Sequence, residues 1–406
     1  MRLKGSIIYF ALLAALIGGI LSIILLQYKD LNTVQLNGLS IRSQLRENIN
    51  GLEKLYFSGS LDVPLNEEKS FLIHDSERDS VKIEKDKWGL FEKLVLHSFY
   101  GDEHYSKTIL CGQEIDGLYP SLYVANNETS IKLGGKTRLS GDLKLPNAKL
   151  ERSYAEQKYY TGSKLHYGTL TSSEKYLPPL KEGLVDFDFN ELEEISLEEF
   201  FENEEFEVSL SSNGAKVNLS SVEELKEVNV KGAVVLYSNK PLAIDASCKL
   251  ENVIIQAPQI TVKKGAIIQA QLFASESVVI HRKAKLNYPS VIMVNGSSGD
   301  KLVHFKEGTS FAGVCLVLGS VGRSSVKLTS EDNMNFVGQM YVAGNAQLKG
   351  RFNGSVYAKQ LYLKTKSSFY NNHLIDVEIK QELPLGFIGV PLFEEDFSNS
   401  VLIYEN

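Results

Sequence analysis

The feature that most constrains this chain is the run Ser6–Leu26, SIIYFALLAALIGGILSIILL, which carries neither a charge nor a proline. At ~1.5 Å rise per residue, a helix over that run is long enough to cross the hydrocarbon core of a bilayer. The residues at its far end, Leu25-Leu26-Gln27-Tyr28-Lys29, lack the small-x-small pattern of a secretory cleavage site. A membrane helix from Ser6 through Phe10 to Leu26 is therefore expected, with the lipid bilayer as its first partner. Arg2 and Lys4 precede the run, and Lys29, Arg42 and Arg46 follow it, so the positive-inside contrast is small. The short basic leader favours a single-pass topology with the amino terminus cytoplasmic and the C-terminal domain periplasmic or extracellular.

The helical pattern continues past the run. Ile41, Leu45, Ile49, Leu52 and Leu55 recur at three- and four-residue steps between Arg42, Arg46, Glu47 and Glu53, which makes one apolar stripe. Asn37-Gly38 predicts a kink or break, since both are weak helix formers. Bridged, residues 6–57 make a helix of ~75 Å; unbridged, they make a membrane helix followed by a separate amphipathic one.

The leader Met1-Arg2-Leu3-Lys4-Gly5 sits directly against the apolar run. Over residues 1–57 this arrangement resembles type IV pilins and type II secretion pseudopilins. The resemblance implies a leader cut after Gly5, with Lys4, Gly5 and Ser6 as the processing residues. It also implies a helix that sits first in the membrane and later in a filament core. Ser6 departs from the usual aromatic first residue, and Phe10 stands where most members carry glutamate. Some minor components lack that glutamate, so the match leans toward a minor or tip subunit. A plain membrane anchor is the alternative.

A chain of 406 residues with 43% hydrophobic content buries a sizeable core, expected as two or three units. The net charge of −7 gives no reason to expect nucleic acid as a partner. Cys111, Cys248 and Cys315 lie far apart without CxxC or Cys/His spacing, and read as small buried hydrophobes. Residues 58–180 read as a small β-rich region, with strands at Ser80–Lys85, Leu94–Tyr100 and Lys107–Cys111, the last two paired across Gly101-Asp102. His97 and His104 with Asp102 and Glu103 suggest a metal site but have no third nitrogen or sulfur ligand, so they are read as structural. Tyr154, Tyr159, Tyr160 and Tyr167, scattered among lysines, would line a glycan-binding surface or form the half-exposed skin of a β domain.

Residues 182–207 run from Glu182 to Glu207 with many carboxylates and no lysine or arginine. A solvated acidic linker or helix over 181–210 is expected, with Ser196 capping Leu197–Glu202. Calcium binding and docking of a basic partner are the functional alternatives; Asp186-Phe187-Asp188 is only a fragment of a calcium loop.

From about Val217 the chain repeats itself loosely. Ile260 and Val262 are echoed by Val278 and Ile280, and Phe311–Val317 (FAGVCLV) by Phe336–Val342 (FVGQMYV) and Phe352–Tyr357 (FNGSVY). Leu139–Leu145 and Val230–Leu236 share the outline apolar-x-Gly-x-apolar-x-apolar. Such strands bury their apolar side by stacking coil on coil, with glycine at corners. The expected fold is mainly β: a long transmembrane N-terminal α-helix, a β-rich middle, and a C-terminal β-solenoid over 211–382. Phe311, Gly313, Phe336, Gly338, Phe352 and Gly354 mark its repeat corners. A β-sandwich is the alternative, because the spacings are unequal. The pattern loosely resembles right-handed β-helix proteins and bactofilin-type polymers. The apolar end Leu383–Phe393, within a 383–406 tail, is expected to cap the last coil.

Catalytic groupings are missing from the sequence. Asp245, Asp300, Asp332 and Asp376 are isolated, His281-Arg282-Lys283 reads as a solvated corner, and Ser320 and Ser324 do not form a GxSxG elbow. No P-loop or GxGxxG occurs. The expected protein is non-enzymatic and needs no cofactor: a minor pilin-like or pseudopilin-like structural component with protein partners in a filament or envelope assembly. The alternative is a membrane-tethered β-helix that binds or cleaves polysaccharide.

Overall fold

The computed structural model describes residues 5–73, 76–115, 117–319, 325–365, 368–394 and 399–405. The chain is mainly β with one long N-terminal apolar helix. It folds as two compact units, residues 1–85 with 95–107, and residues 86–94 with 108–406.

The first unit is built on α1 (Gly5–Phe57), an unbroken helix of 53 residues. The break expected at Asn37–Gly38 is absent. Those two residues cost only about 1 kcal/mol of propensity, and a helix already nucleated on both sides propagates through them. Leu45, Ile49, Leu52 and Tyr56 are buried, whereas Leu55, expected on the same stripe, is exposed. Their partners come from an antiparallel sheet in the order β1 (Glu67–Ile73), β2 (Ser76–Trp88), β3 (Phe91–Tyr100), β4 (Glu103–Glu114), with Val81, Ile83, Val95 and Leu96 buried. Polar ties fix the helix rotation. Gln44 and Asn48 donate to the buried Asp79 carboxylate at 2.6 and 2.9 Å, and Lys107 Nζ lies 2.6 Å from Glu53 Oε2 in a largely buried ion pair. Turning α1 by one residue would strand Asp79 without donors, which a buried charge does not tolerate.

The second unit is a parallel-strand, solenoid-like sheet. One line of paired residues runs Ile268, Leu286, Phe311, Phe336, Phe352, Ile379 and Leu139. Ile260 pairs with Val278, and Val262 with Ile280. These pairings are parallel, which the tight hairpins of a β-sandwich cannot make. The line does not follow chain order at its end, since Leu139 lies beyond Ile379 and Val124 beside Ala358. Strands on both sides of residues 181–210 therefore belong to one sheet.

Four-residue turns of one kind recur along a corner of this sheet: Lys263–Ala266, His281–Ala284, Lys306–Thr309 and Glu331–Met334. Their third residues, Gly265, Lys283, Gly308 and Asn333, all have φ between 60° and 78°. Successive turns are tied by Gly265 N to Arg282 O (3.2 Å), Lys283 N to Glu307 O (3.3 Å) and Gly308 N to Asp332 O (3.0 Å). The fourth residue, Ala266, Ala284, Thr309 or Met334, is buried.

One wall of the sheet is covered on both faces. Ile255, Leu272, Ile292, Cys315 and Met340 point into the interior, while Ile254, Phe273, Met293, Leu316 and Tyr341 join an outer apolar layer. A parallel strand buried on both sides reads as a continuous apolar run rather than an alternation. The covering segments include residues 86–94, 110–119, 177–192 and 383–393. Residues 383–393 thus do not cap an end: Phe387, Val390, Leu392 and Phe393 lie alongside Tyr341 and Tyr357. The acidic stretch is likewise not one helix. Only Leu197–Glu202 is helical, with Ser196 Oγ accepting from Glu199 N, and Phe187 stacks on Phe273 at 4.6 Å. The covering strips need backbone partners, and two buried glutamines supply them. Gln271 accepts from Leu90 N and donates to Trp88 O; Gln339 accepts from Val390 N and donates to Val390 O.

Ser290, Gly313, Gly338 and Gly354 are successive register partners. A Cβ on Gly338 (φ +133°) would lie 1.9 Å from Gly313 O, whereas one on Gly265 (φ +78°) would meet nothing within 4 Å. Gly338→Ala is expected to cost ~3 kcal/mol, the upper part of the usual range for single substitutions. Gly265→Ala should cost only the left-handed strain, about 1 kcal/mol. Denaturant melts of the two variants in parallel check the difference.

Candidate functional site

Three features of the described residues bear on function: the bare part of α1, the stacked columns of the parallel sheet, and a polar groove in the second unit.

The segment Ser6–Leu26 lies within α1, which begins at Gly5; Lys4 lies outside the described residues. From Ile8 to Leu39 every large apolar side chain is exposed, including Phe10 (66%) and Leu26 (60%). This is one helix long and apolar enough to cross a membrane. No part of its most apolar window is buried within the chain. Exposed apolar patches of that extent are rare on soluble monomers.

The six repeat residues lie in two adjacent columns. The rings of Phe311 and Phe336 stack at 5.5 Å with 13° between planes, and those of Phe336 and Phe352 lie 5.8 Å apart. All three are buried. Gly313, Gly338 and Gly354 follow two residues later, each at positive φ against the carbonyl of the rung before it. These residues do structural work: the glycines let the coils approach, and the phenylalanines fill the interior.

The groove has a volume of about 1230 Å³. It is lined by coil corners at Asp332–Asn335, Gly350–Arg351 and Asp376–Glu378, by Gly135, Lys136 and Thr161, and by Lys158 and Tyr159. Asp376 is its organising group. A Cβ on Gly135 would sit 2.2 Å from Asp376 Oδ1, so glycine there makes room for the carboxylate. The Lys136 amide donates to Asp376 Oδ1 at 2.9 Å, and the Lys158 ammonium pairs with Oδ2. Burial by itself would push the Asp376 carboxyl up; the Lys136 amide and the Lys158 ammonium outweigh it and hold it below the usual carboxylate range. Arg351 lies 3.6 Å from Glu378, and Lys349 lies 3.4 Å from Asp332.

Lys158 and Tyr159 are delivered by a two-strand hairpin in which Tyr154 pairs with Tyr159 and Ala155 with Lys158. Its turn residues, Glu156 and Gln157, both have positive φ (49° and 60°). That turn type normally selects glycine or asparagine. Two ordinary side chains held there cost of order 1–2 kcal/mol each, and the Lys158–Asp376 pair helps to hold them. Tyr159 is 71% exposed, with its ring 4.3 Å from that of Tyr154.

Sequence reasoning named the tyrosines here and left Asp332 and Asp376 as isolated carboxylates. Unequal spacings between the parallel strands hide their proximity. The turn pattern at Glu331–Met334, shared with Lys306–Thr309, is the signal that places Asp332 on the corner line. His97 and His104 do not converge on a metal site: His97 Nδ1 is 2.7 Å from Ser106 Oγ, and the rings of both flank Phe99. Among the described residues, no group of three or more histidine, cysteine, aspartate and glutamate side chains is arranged to hold a metal ion. The three cysteines are buried thiols. Comparisons with protein-family models, with curated proteins and with solved structures find no match.

Because the folded-state pKa of Asp376 is depressed, its contribution to stability is present above the ordinary aspartate range and is lost as pH falls through the folded value. A carboxyl carbon shift titration should therefore place its midpoint below the ~3.9 of a free aspartate. Lys158→Met should move that midpoint upward.

Proposed function

We propose that this protein is a non-enzymatic, membrane-anchored structural component of the cell envelope, of the minor pilin or pseudopilin kind. The observation that carries the reading is the division of labour along α1. Its first part, from Ile8 to Leu26, exposes large apolar side chains and no charge, and its last turns, from Gln44 on, are packed and hydrogen-bonded onto their own antiparallel sheet. At ~1.5 Å per residue, the 53 residues make a rod of about 80 Å. That length serves a bilayer span and a stalk at once. A helix buried in the core of a soluble protein would have its apolar face covered by its own chain, and here it is bare.

The amino terminus is assigned to the cytoplasm and the units that follow α1 to the outer side of the membrane. The parallel sheet is read as a β-solenoid; the support is the continuous pairing from Ile268 to Leu139 and the ladder of like turns. Its interior is packed with phenylalanine, isoleucine, leucine and valine. Partners in a filament or envelope assembly would meet the bare helix once it leaves the lipid. The alternative, a tethered β-helix acting on polysaccharide, is favoured by one observation only, the polar groove.

Mass spectrometry of the amino terminus of the native membrane-bound protein tests the pilin-like reading. Ser6 as first residue is expected, and Gly5→Val should block the cut; an intact Met1 leaves a simple tether. The anchor itself is checked by Leu16→Lys together with Ile20→Lys. A charge at mid-bilayer costs about 2.5–3.5 kcal/mol on insertion scales, so the pair should move the protein from the carbonate-washed membrane pellet to the supernatant. A phosphatase fused after Phe57 should be active outside the cytoplasm, and activity confined to the cytoplasm would refute the topology.

A further inference from the structure

We propose that the groove organised by Asp376 binds an uncharged, linear oligosaccharide across the corners of successive coils. The inference deepens the polysaccharide reading of the same groove and is independent of the membrane and pilin-like reading, since every residue it uses lies in the second unit.

Size is the first argument. At about 1230 Å³ the groove exceeds the ~300–1,000 Å³ of ordinary small-molecule sites. Its lining comes from five separate stretches of chain, so it spans several coils rather than one loop. An oligomer fits that shape better than a single metabolite.

The balance of charge is the second. Lys136, Lys158 and Arg351 face Asp332, Asp376 and Glu378. Lys158 is tied to Asp376, and Arg351 lies against Glu378. Three cations meet three carboxylates along the lining, and the ion pairs, with Lys349 on Asp332 and Lys380 on Glu378 behind them, keep donors and acceptors in fixed places. A nucleic acid or polyuronate would need an excess of positive charge, because phosphate or carboxylate neutralisation dominates such binding. A polyol needs donors and acceptors side by side, and Asn333, Asn335 and Thr161 add neutral ones of both kinds.

The third is the aromatic group. Tyr159 lines the groove with an exposed ring that rests on Tyr154 and so loses little freedom on binding. The C–H face of a pyranose is apolar with partial positive charge, which matches the negative face of a phenol ring. The hairpin that carries Tyr159 turns through two non-glycine residues at positive φ. Strain of this kind is kept where the surrounding structure dictates the position of a side chain, and here that position is the rim of the groove.

Isothermal titration calorimetry tests the proposal on the full-length protein in a detergent without sugar headgroups, with cellohexaose, chitohexaose and hexagalacturonate as probes. At least one neutral hexamer is expected to bind, more tightly than hexagalacturonate. Tyr159→Ala should weaken it about ten-fold and Asn335→Ala several-fold. Both side chains are exposed, so the melting temperature should stay at the wild-type value and separate lost binding from lost fold. Absence of binding by both neutral hexamers overturns the proposal. So does an affinity unchanged in Tyr159→Ala, or preference for hexagalacturonate.

Discussion

The second unit depends on how closely neighbouring parallel strands approach at the line Ser290, Gly313, Gly338, Gly354. An added Cβ at any of the three glycines would fall within 1.8–2.1 Å of the carbonyl oxygen of the preceding rung. That closeness lets the parallel ladder run unbroken, and the ladder brings Phe311, Phe336 and Phe352 into one stack. Each buried phenylalanine is worth roughly 3–5 kcal/mol against alanine, but only if its neighbour above and below is in register. Backbone approach and side-chain packing are thus one constraint seen from two sides.

The outer wall follows from the same geometry. A sheet whose strands are apolar on both faces must be covered, and segments distant in sequence supply the cover. Where those strips cross the apolar layer, each amide or carbonyl left unsatisfied would cost about 1–3 kcal/mol. Gln271 and Gln339 remove that cost by offering one acceptor and one donor each, at the rungs where Trp88–Leu90 and Val390 pass. Tyr288 does the same for Ile388, accepting from its amide at 2.9 Å and donating to its carbonyl at 3.0 Å. The buried position pushes the Tyr288 phenol up to about 12, so it stays a neutral donor.

In the first unit the deciding contrast lies within a single helix. Its exposed apolar length can be stable only in lipid or against other protein, whereas Gln44, Asn48 and Glu53 bind the following turns to their sheet. The same α1 is therefore a free apolar surface at one end and an ordinary core element at the other.

How much of this was legible beforehand differs by feature. The apolar helix, the Ser196 cap, the strands near Val81, Leu96 and Ile109, the Ile260–Val278 echo and the mainly β character all follow from local properties: propensity, periodicity and the chemistry of single turns. The unbroken passage through Asn37–Gly38 was not legible, because a small local penalty is overruled by the cooperativity of the whole helix. Nor was the packing of Leu383–Phe393 along a wall, or the entry of Leu139 beyond Ile379, since apolar strips of similar length are interchangeable until a particular edge and a particular glutamine select one. The groove was the least legible feature. Asp332, Asp376, Lys158 and Gly135 are far apart in the chain and meet only because parallel strands joined by segments of unequal length lie side by side. Local sequence determined what each segment is; which segments lie side by side was decided by the tertiary structure, because register in a parallel stack is set by long-range backbone fit that no short window of residues contains.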